Sequence, residues 1–381
     1  MFSFSRENTG LVAKWWRNID KQILFIFVFL LLLGLFFSFS STTSMMSEKM
    51  NKQTYFFFIK HLIFVSISLF LLIAISIQEK NKLIKFLIYL FLVSIVLLLL
   101  TLVVGVEIKG SKRWMDFDPL PRFQPVELVK PLFIIFVAKI IVLNEKANIY
   151  RRYLYSFLVL LLIVIILINQ PDLGQTLLLA SVWITMVFVS GFDMVILLIL
   201  GLAFLSIITL LIFFFPEKFS YVFLRIKTFM DPKAGDNFQS QKALDAIKQG
   251  GLTGQGMGEG ILKDEVPEAH TDYIIAVVSE EFGAIFVLFI VTIFLFIGYK
   301  VFNKVFSEKN EFLKLALVGL VSLLIIQTFI HIGVNTRLLP TTGMTLPFLS
   351  YGGSSLIGSS IIAGIILNFT RKDSARYSEN D

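Results

Sequence analysis

Apolar stretches of about 18 or more residues recur along this chain from Ile23 to Leu367, and each is continuous rather than alternating. A run of that kind has lipid as its solvent, and lipid offers no partner to a backbone N–H or C=O. Each run must therefore satisfy its own backbone by coiling into a helix, because barrel strands would alternate. The expected fold class is all-α: a polytopic membrane helical bundle of about ten transmembrane helices, each long enough to cross ~30 Å at 1.5 Å per residue. They fall at 23–40, 55–77, 83–104, 127–143, 154–169, 173–190, 192–215, 272–299, 312–335 and 347–369.

Lysine and arginine in the short loops orient the bundle. Lys14, Arg17 and Lys21 precede the first span, Lys80, Lys82 and Lys85 follow the second, and Lys146, Arg151 and Arg152 follow the fourth. Lys300, Lys304 and Lys309 follow the eighth, and Arg371, Lys372 and Arg376 end the chain. With an even number of spans all five groups fall on one side, so both termini are expected in the cytoplasm. The organisation expected is a leader at 1–22, with Trp15 and Trp16 at the membrane interface, one transmembrane domain at 23–369, and a tail at 370–381. The first apolar core is longer than the ~7–15 residues of a secretory signal, which argues against cleavage.

Composition excludes several chemistries. There is no cysteine, so disulfides, thiolate nucleophiles and thiolate metal sites are unavailable. The net charge of +7 follows from basic cytoplasmic loops and gives no argument for nucleic acid as a partner.

Two segments on the outer side break the pattern. GVEIKGSKRWMDFDPLPRFQPVELVK carries Lys109, Lys112, Arg113, Arg122 and Lys130 where basic residues should be scarce. The long outer loop 216–271, between spans seven and eight, contains the basic amphipathic stretch KFSYVFLRIKTF, the turn MDPKAGDN, a helix-like QSQKALDAIKQ and the glycine-rich GGLTGQGMGEG. No strand precedes these glycines and no Lys-Ser/Thr follows them, so they are read as flexible backbone and not as a nucleotide loop.

The loop ends in PEAHTDYIIAVVSEE. Thr271 is an expected N-cap, which would place Asp272 in the first turn of the eighth span, where unpaired N–H groups favour a carboxylate. Asp272 is then either a base or simply a helix-start charge, with Glu268 and His270 beside it. Deeper in that span, Glu280 and Glu281 need partners, for which Lys130 is a candidate. Gln327, His331 and Asn335 share one face of the ninth span and suit interhelical hydrogen bonds. Asp172, in NQPDLGQT, would bind a cation or hold the basic loop. The small residues of PFLSYGGSSLIGSSIIAG suit close helix packing.

A basic loop and an acidic cluster on one membrane face suggest chemistry on a phosphorylated lipid. Cations would hold a pyrophosphate leaving group while one carboxylate deprotonates an attacking hydroxyl. Only one strong base is needed, because pyrophosphate departs without a general acid, unlike ordinary glycoside hydrolysis.

GSKRWMDFDPLPRFQPVELVK, NQPDLGQTLLL, FMDPKAGDNFQSQKALDAIKQGGLTGQGMGEG, VPEAHTDYIIAVVSEEFG and NTRLLPTTGMTLPFLSYGGSS together resemble the shape, elongation, division and sporulation (SEDS) family of peptidoglycan glycosyltransferases. VPEAHTD and LLPTTGMTLPFLSYGGSS are closer to its division members than to its elongation members. The resemblance implies an enzyme that polymerises lipid II at the outer face of the bacterial inner membrane and releases undecaprenyl pyrophosphate. The family's essential aspartate matches Asp272, and its outer-loop basic residues match Arg113 and Lys130, with Glu127 beside the latter. Glu268, His270 and Arg337 complete the expected substrate-binding set, while a further family acid maps ambiguously to Asp264 or Glu265. No resident cofactor is implied, a divalent cation (Mg or Mn) remains open, and the expected partners are a class B penicillin-binding transpeptidase (FtsI-like) and divisome activators. The alternatives are a lipid II flippase, the elongation paralogue, and a scaffold that docks its transpeptidase.

Overall fold

The computed structural model describes residues 10–42, 56–108, 111–117, 121–143, 149–214, 220–230 and 238–372. Lys109, Lys146, Arg376, the DPKAGDN turn and most of the 370–381 tail lie outside these residues, as does the side chain of Asp264.

Long helices occupy all the expected apolar runs: α2 (Lys21–Thr42), α3 (Phe56–Ile77), α4 (Lys80–Val104), α5 (Pro125–Leu143), α6 (Ile149–Asn169), α7 (Leu173–Val189), α8 (Met194–Phe214), α11 (Ile274–Ser307), α12 (Glu311–Asn335) and α13 (Gly353–Thr370). A short α1 (Leu11–Asn18) precedes them, and α9 (Ser220–Met230) and α10 (Phe238–Gly250) lie in the long loop. Among the described residues seven helices, α2, α3, α4, α6, α11, α12 and α13, are long and apolar enough to cross a membrane. Helix α7 is shorter, and α5 carries Glu127, Lys130 and Lys139 within its apolar sequence.

The bundle is arranged around α12, most of whose residues are buried. Helix α13 is buried along its whole length and packs on α3. Its glycines permit close approach on two sides: a Cβ at Gly364 would lie 2.8 Å from Ile75 Cβ of α3, and one at Gly358 2.7 Å from Glu127 O of α5. At the end of the bundle where α1 packs, Asn368 Nδ2 donates to the carbonyls of Ile75, Ser76 and Gln78, and Arg371 donates to those of Ser76, Ile77 and Gln78. The C-terminus of α13 thus satisfies the orphan carbonyls that end α3. Trp15 Nε1 of α1 donates to Ser76 Oγ at 2.9 Å, and Lys372 N to Asn18 O at 3.0 Å, so α1 is tied to α3 and its end to the residues just after α13.

At the opposite end, β1 (Val106–Ile108) and β2 (Ser111–Trp114) form an antiparallel hairpin, continued by a bridge between Met115 and Phe123. The basic segment is therefore a folded hairpin and presents Arg113 from β2.

Helix α11 is broken at Gly283, whose φ of 80° and ψ of 173° are non-helical. The glycine-rich segment fills the break. Gln255 N and Gly256 N donate to Glu280 O and Glu281 O, while Ala284 N and Ile285 N donate to Gly251 O and Leu252 O. This corrects the reading of that segment as flexible backbone, since its small residues let it replace the missing helical bonds. The partners of the two buried glutamates also differ from expectation. Glu281 accepts from Lys263 Nζ and Ser40 Oγ, and Glu280 from the backbone N–H groups of Leu262 and Lys263. Lys130 is engaged elsewhere.

Gly283→Ala should lower the thermal unfolding midpoint. A Cβ there would lie 2.2 Å from Leu252 O, at a φ that costs L-residues on the order of 1–3 kcal/mol. Tryptophan fluorescence during heating in detergent measures this, and an unchanged midpoint would show that the break carries no strain.

Candidate active site at the loop end of the bundle

Asp272 lies in the turn before α11, which begins at Ile274 with Tyr273 as its N-cap. Thr271 was expected as the cap. Its hydroxyl instead donates to Glu268 Oε2 at 3.1 Å, and Tyr273 N donates to Glu268 O, in a turn where Glu268 has φ 58°. The backbone of this turn is held from two sides. Asn335 Nδ2 of α12 donates to Asp272 O at 3.0 Å, and Ser350 Oγ donates to Thr271 O at 2.7 Å. The base candidate therefore sits on a fixed platform.

The segment 336–352, which joins α12 to α13, borders the carboxylate. Gly343 has φ 71°, and a Cβ on it would be 3.6 Å from Asp272 Oδ2 and 3.9 Å from Arg113 Nη1. One point in the loop is thus within 4 Å of both the carboxylate and a guanidinium. Arg113 is fixed by donating to Gln170 O at 3.3 Å and to Pro171 O, and by a 3.4 Å ion pair with the buried Asp172. Asp172 therefore holds the basic hairpin, one of the two roles open for it, and caps α7 through Gln175 N. Burial pushes its carboxyl up, opposed chiefly by Arg113.

Two more arginines reach the same mouth. Arg337 Nη1 donates to Gln241 Oε1 of α10 at 2.7 Å. Arg225 of α9 donates to Thr341 O at 2.6 Å, two residues from Gly343. Burial first, and then Arg113, hold its guanidinium down at about 10, while Asp172, Tyr273 and Asp272 oppose them. It remains charged at neutral pH. Burial and the neighbouring Asp272 push the Tyr273 phenol up, so Tyr273 stays a donor. Arg225 was not singled out from the sequence, although it lies in the basic amphipathic stretch of the long loop.

The other expected site residues occupy different layers. Lys130 and Glu127 are buried inside the bundle, where Lys130 Nζ donates to Glu127 Oε1 at 2.8 Å and to Gln327 Oε1 at 3.1 Å. Gln175 Nε2 of α7 also donates to Glu127 Oε1, at 3.2 Å. Gln327 Nε2 reaches Thr345 O at 2.8 Å, which ties this network to the loop that borders Asp272. His270 lies against Phe57 and Tyr351, at ring distances of 5.1 and 5.6 Å, and burial lowers its pKa. Glu265 pairs with Lys242 of α10.

Among the described residues no three His, Cys, Asp or Glu side chains form a group that could hold a metal. With Asp172 committed to Arg113, the carboxylates here do not form a donor set for a resident cation, and no step below uses one.

The fold and site define a class: a polytopic helical membrane protein with a carboxylate and three arginines converging at one end of the bundle. The model of the FtsW–RodA–SpoVE family, described as cell cycle proteins, matches residues 21–375, and the chain belongs to that family. It is 35% identical to the probable peptidoglycan glycosyltransferase FtsW of Caulobacter vibrioides, over 72% of this chain and 69% of that protein. It is 37% identical to the protein of the same description from Geobacter metallireducens, over 71% and 72%. Among solved structures, a peptidoglycan synthase complex that coordinates polymerization and crosslinking contains a chain similar at a TM-score of 0.76 and 25% identity, covering 95% of this chain and 99% of that one. Thermus thermophilus rod shape determining protein RodA is similar at a TM-score of 0.69 and 25% identity, covering 93% and 97%.

Lys130→Met should destabilise the bundle by about 3–5 kcal/mol, because Glu127 is left buried without its cation. Adding Glu127→Gln should restore part of the loss. Unfolding midpoints of the single and double variants in detergent measure both, and equal midpoints for wild type and Lys130→Met would contradict the network.

Proposed function

We propose that this chain is a peptidoglycan glycosyltransferase that polymerises lipid II into glycan strands during cell division, at the outer face of the bacterial inner membrane. The relatives' shared description supports the activity, and their FtsW assignment favours the division role over that of the elongation paralogue. The observation that carries the reading is the placement of the Asp272 carboxylate and the Arg113 guanidinium around Gly343.

In the proposed reaction Asp272 accepts the proton of the acceptor sugar's 4-hydroxyl. That oxygen attacks the anomeric carbon of the growing chain's lipid-linked end, with inversion. The bond from anomeric carbon to phosphate oxygen breaks, and undecaprenyl pyrophosphate leaves with the electron pair. Arg113 and Arg337 compensate its charge with bidentate-capable guanidiniums. Lys130 and Glu127 support the site from below through Gln327 and Thr345. Glu268 supports the Asp272 turn through the Thr271 hydroxyl, and His270 braces Tyr351, whose N–H donates to His270 O at 2.9 Å.

A synthase complex among the similar structures supports a class B penicillin-binding transpeptidase (FtsI-like) as partner, with divisome activators. Both termini would be cytoplasmic and the protein septal; the hydrogen bond from Lys372 N to Asn18 O supports only that these two residues share one side of the bundle.

Asp272→Ala and Asp272→Asn, reconstituted in liposomes with the cognate transpeptidase and lipid II, should lose about 10²–10⁴-fold in polymerisation rate, as expected for removal of a general base. Wild-type polymerisation by either variant would refute the assignment. A flippase would move headgroups without making polymer, and the same liposomes distinguish the two.

A further inference from the structure

The long loop contributes more than cover. Through Arg225 it places a third guanidinium at the mouth, and three observations separate this residue from an ordinary surface cation.

It lies half-buried on α9, whereas Lys227, two residues along the same helix, is exposed. It is fixed at 2.6 Å to Thr341 O, on the loop that borders Asp272 and Arg113. Its electrostatic neighbours are the groups that define the site: Arg113, Asp172, Tyr273 and Asp272. Arg337 is a further electrostatic neighbour of Tyr273. Among the described residues Arg225 and Arg113 thus lie together beside Asp172 and Asp272, and Asp172 is engaged by Arg113 at 3.4 Å. Bringing like charges together in a partly desolvated mouth is costly unless an anion joins them. A pyrophosphate diester, with two negative charges and several acceptor oxygens, spans two neighbouring guanidiniums better than a single phosphate does.

We propose that Arg225 is a phosphate ligand of this site, which completes the recognition of lipid-linked pyrophosphate and separates it from lipid monophosphate. The proposal rests on the lipid-pyrophosphate reading above. The long loop then supplies part of the binding site, and α9 must be seated on Thr341 for the site to be whole.

The test is equilibrium binding to the full chain in nanodiscs, with undecaprenyl pyrophosphate and undecaprenyl phosphate as probes. Arg225→Gln keeps a donor for Thr341 O while removing the charge. It should weaken pyrophosphate-lipid binding about 10–100-fold, the loss of one charge-assisted contact, and leave monophosphate binding unchanged. Arg225→Lys should fall between wild type and Gln. Lys227→Gln removes the same charge from the same helix and should change neither affinity. The proposal is overturned if Arg225→Gln binds the pyrophosphate lipid like wild type, if it weakens both lipids equally, or if Lys227→Gln has the same effect. Inorganic pyrophosphate, run alone, should bind at least about tenfold more weakly than the lipid, and equal affinity would overturn the lipid assignment. Thermal midpoints accompany each variant, and an Arg225→Gln midpoint equal to wild type ties the loss to the ligand. The transfer reading fails separately: a wild type that binds pyrophosphate lipid through Arg225 yet makes no polymer would refute transfer and leave this subsite standing.

Discussion

The site depends on how the non-helical segment 336–352 is kept satisfied inside a bundle whose solvent is lipid. Irregular backbone at such depth is tolerated only where protein supplies its partners. Here one face of α12 supplies them. Gln327 Nε2 donates to Thr345 O, His331 Nδ1 bonds Met344 O at 2.8 Å, and Asn335 Nδ2 reaches across to Asp272 O. Ser350 Oγ donates to Thr271 O and accepts from Leu346 N at 2.9 Å, closing the segment on itself. Four charged groups of the mouth are referred to this segment: Gly343 borders Asp272 and Arg113, Thr341 O holds Arg225, and Arg337 lies within it. A polar stripe on one helix thus sets the position of a site made from five parts of the chain.

The electrostatics are layered. Deep in the bundle the Lys130–Glu127 pair is dry, shares hydrogen bonds with Gln175 and Gln327, and tolerates the loss of neither charge. Beneath the long loop, Lys263 and Ser40 satisfy Glu281, while backbone N–H groups satisfy Glu280, which fixes the glycine segment in the break of α11. At the mouth Arg113 and Arg225 lie together beside Asp172 and Asp272. Fixed dipoles and charges that need not reorganise are the usual source of transition-state stabilisation for a departing anion.

The helical runs were legible because lipid leaves the backbone no alternative, and the polar stripe of α12 because helical spacing puts Gln327, His331 and Asn335 on one face. The structural role of Glu280 and Glu281 also followed from the cost of unpaired charge, but their partners did not. Lys263 lies in the long loop and reaches them through the loop's tertiary fold, and a single glycine at 283 carries no signal of the break that the loop's glycine segment fills. The N-terminus of α11 was misplaced because Thr271 bonds Glu268 rather than capping. Arg225 escaped notice because its importance comes from where the loop folds back, and loop tertiary contacts leave no periodic trace.

The central claim is that Asp272 meets the acceptor hydroxyl while the arginines hold the lipid-linked pyrophosphate. It is tested most directly by a structure of the full chain in nanodiscs with a non-transferable lipid II analogue. The account predicts the pyrophosphate within hydrogen-bond reach of Arg113 and Arg225, and an acceptor hydroxyl about 2.6–3.2 Å from an Asp272 oxygen. A headgroup seated elsewhere in the bundle, with Asp272 facing no sugar, would contradict it.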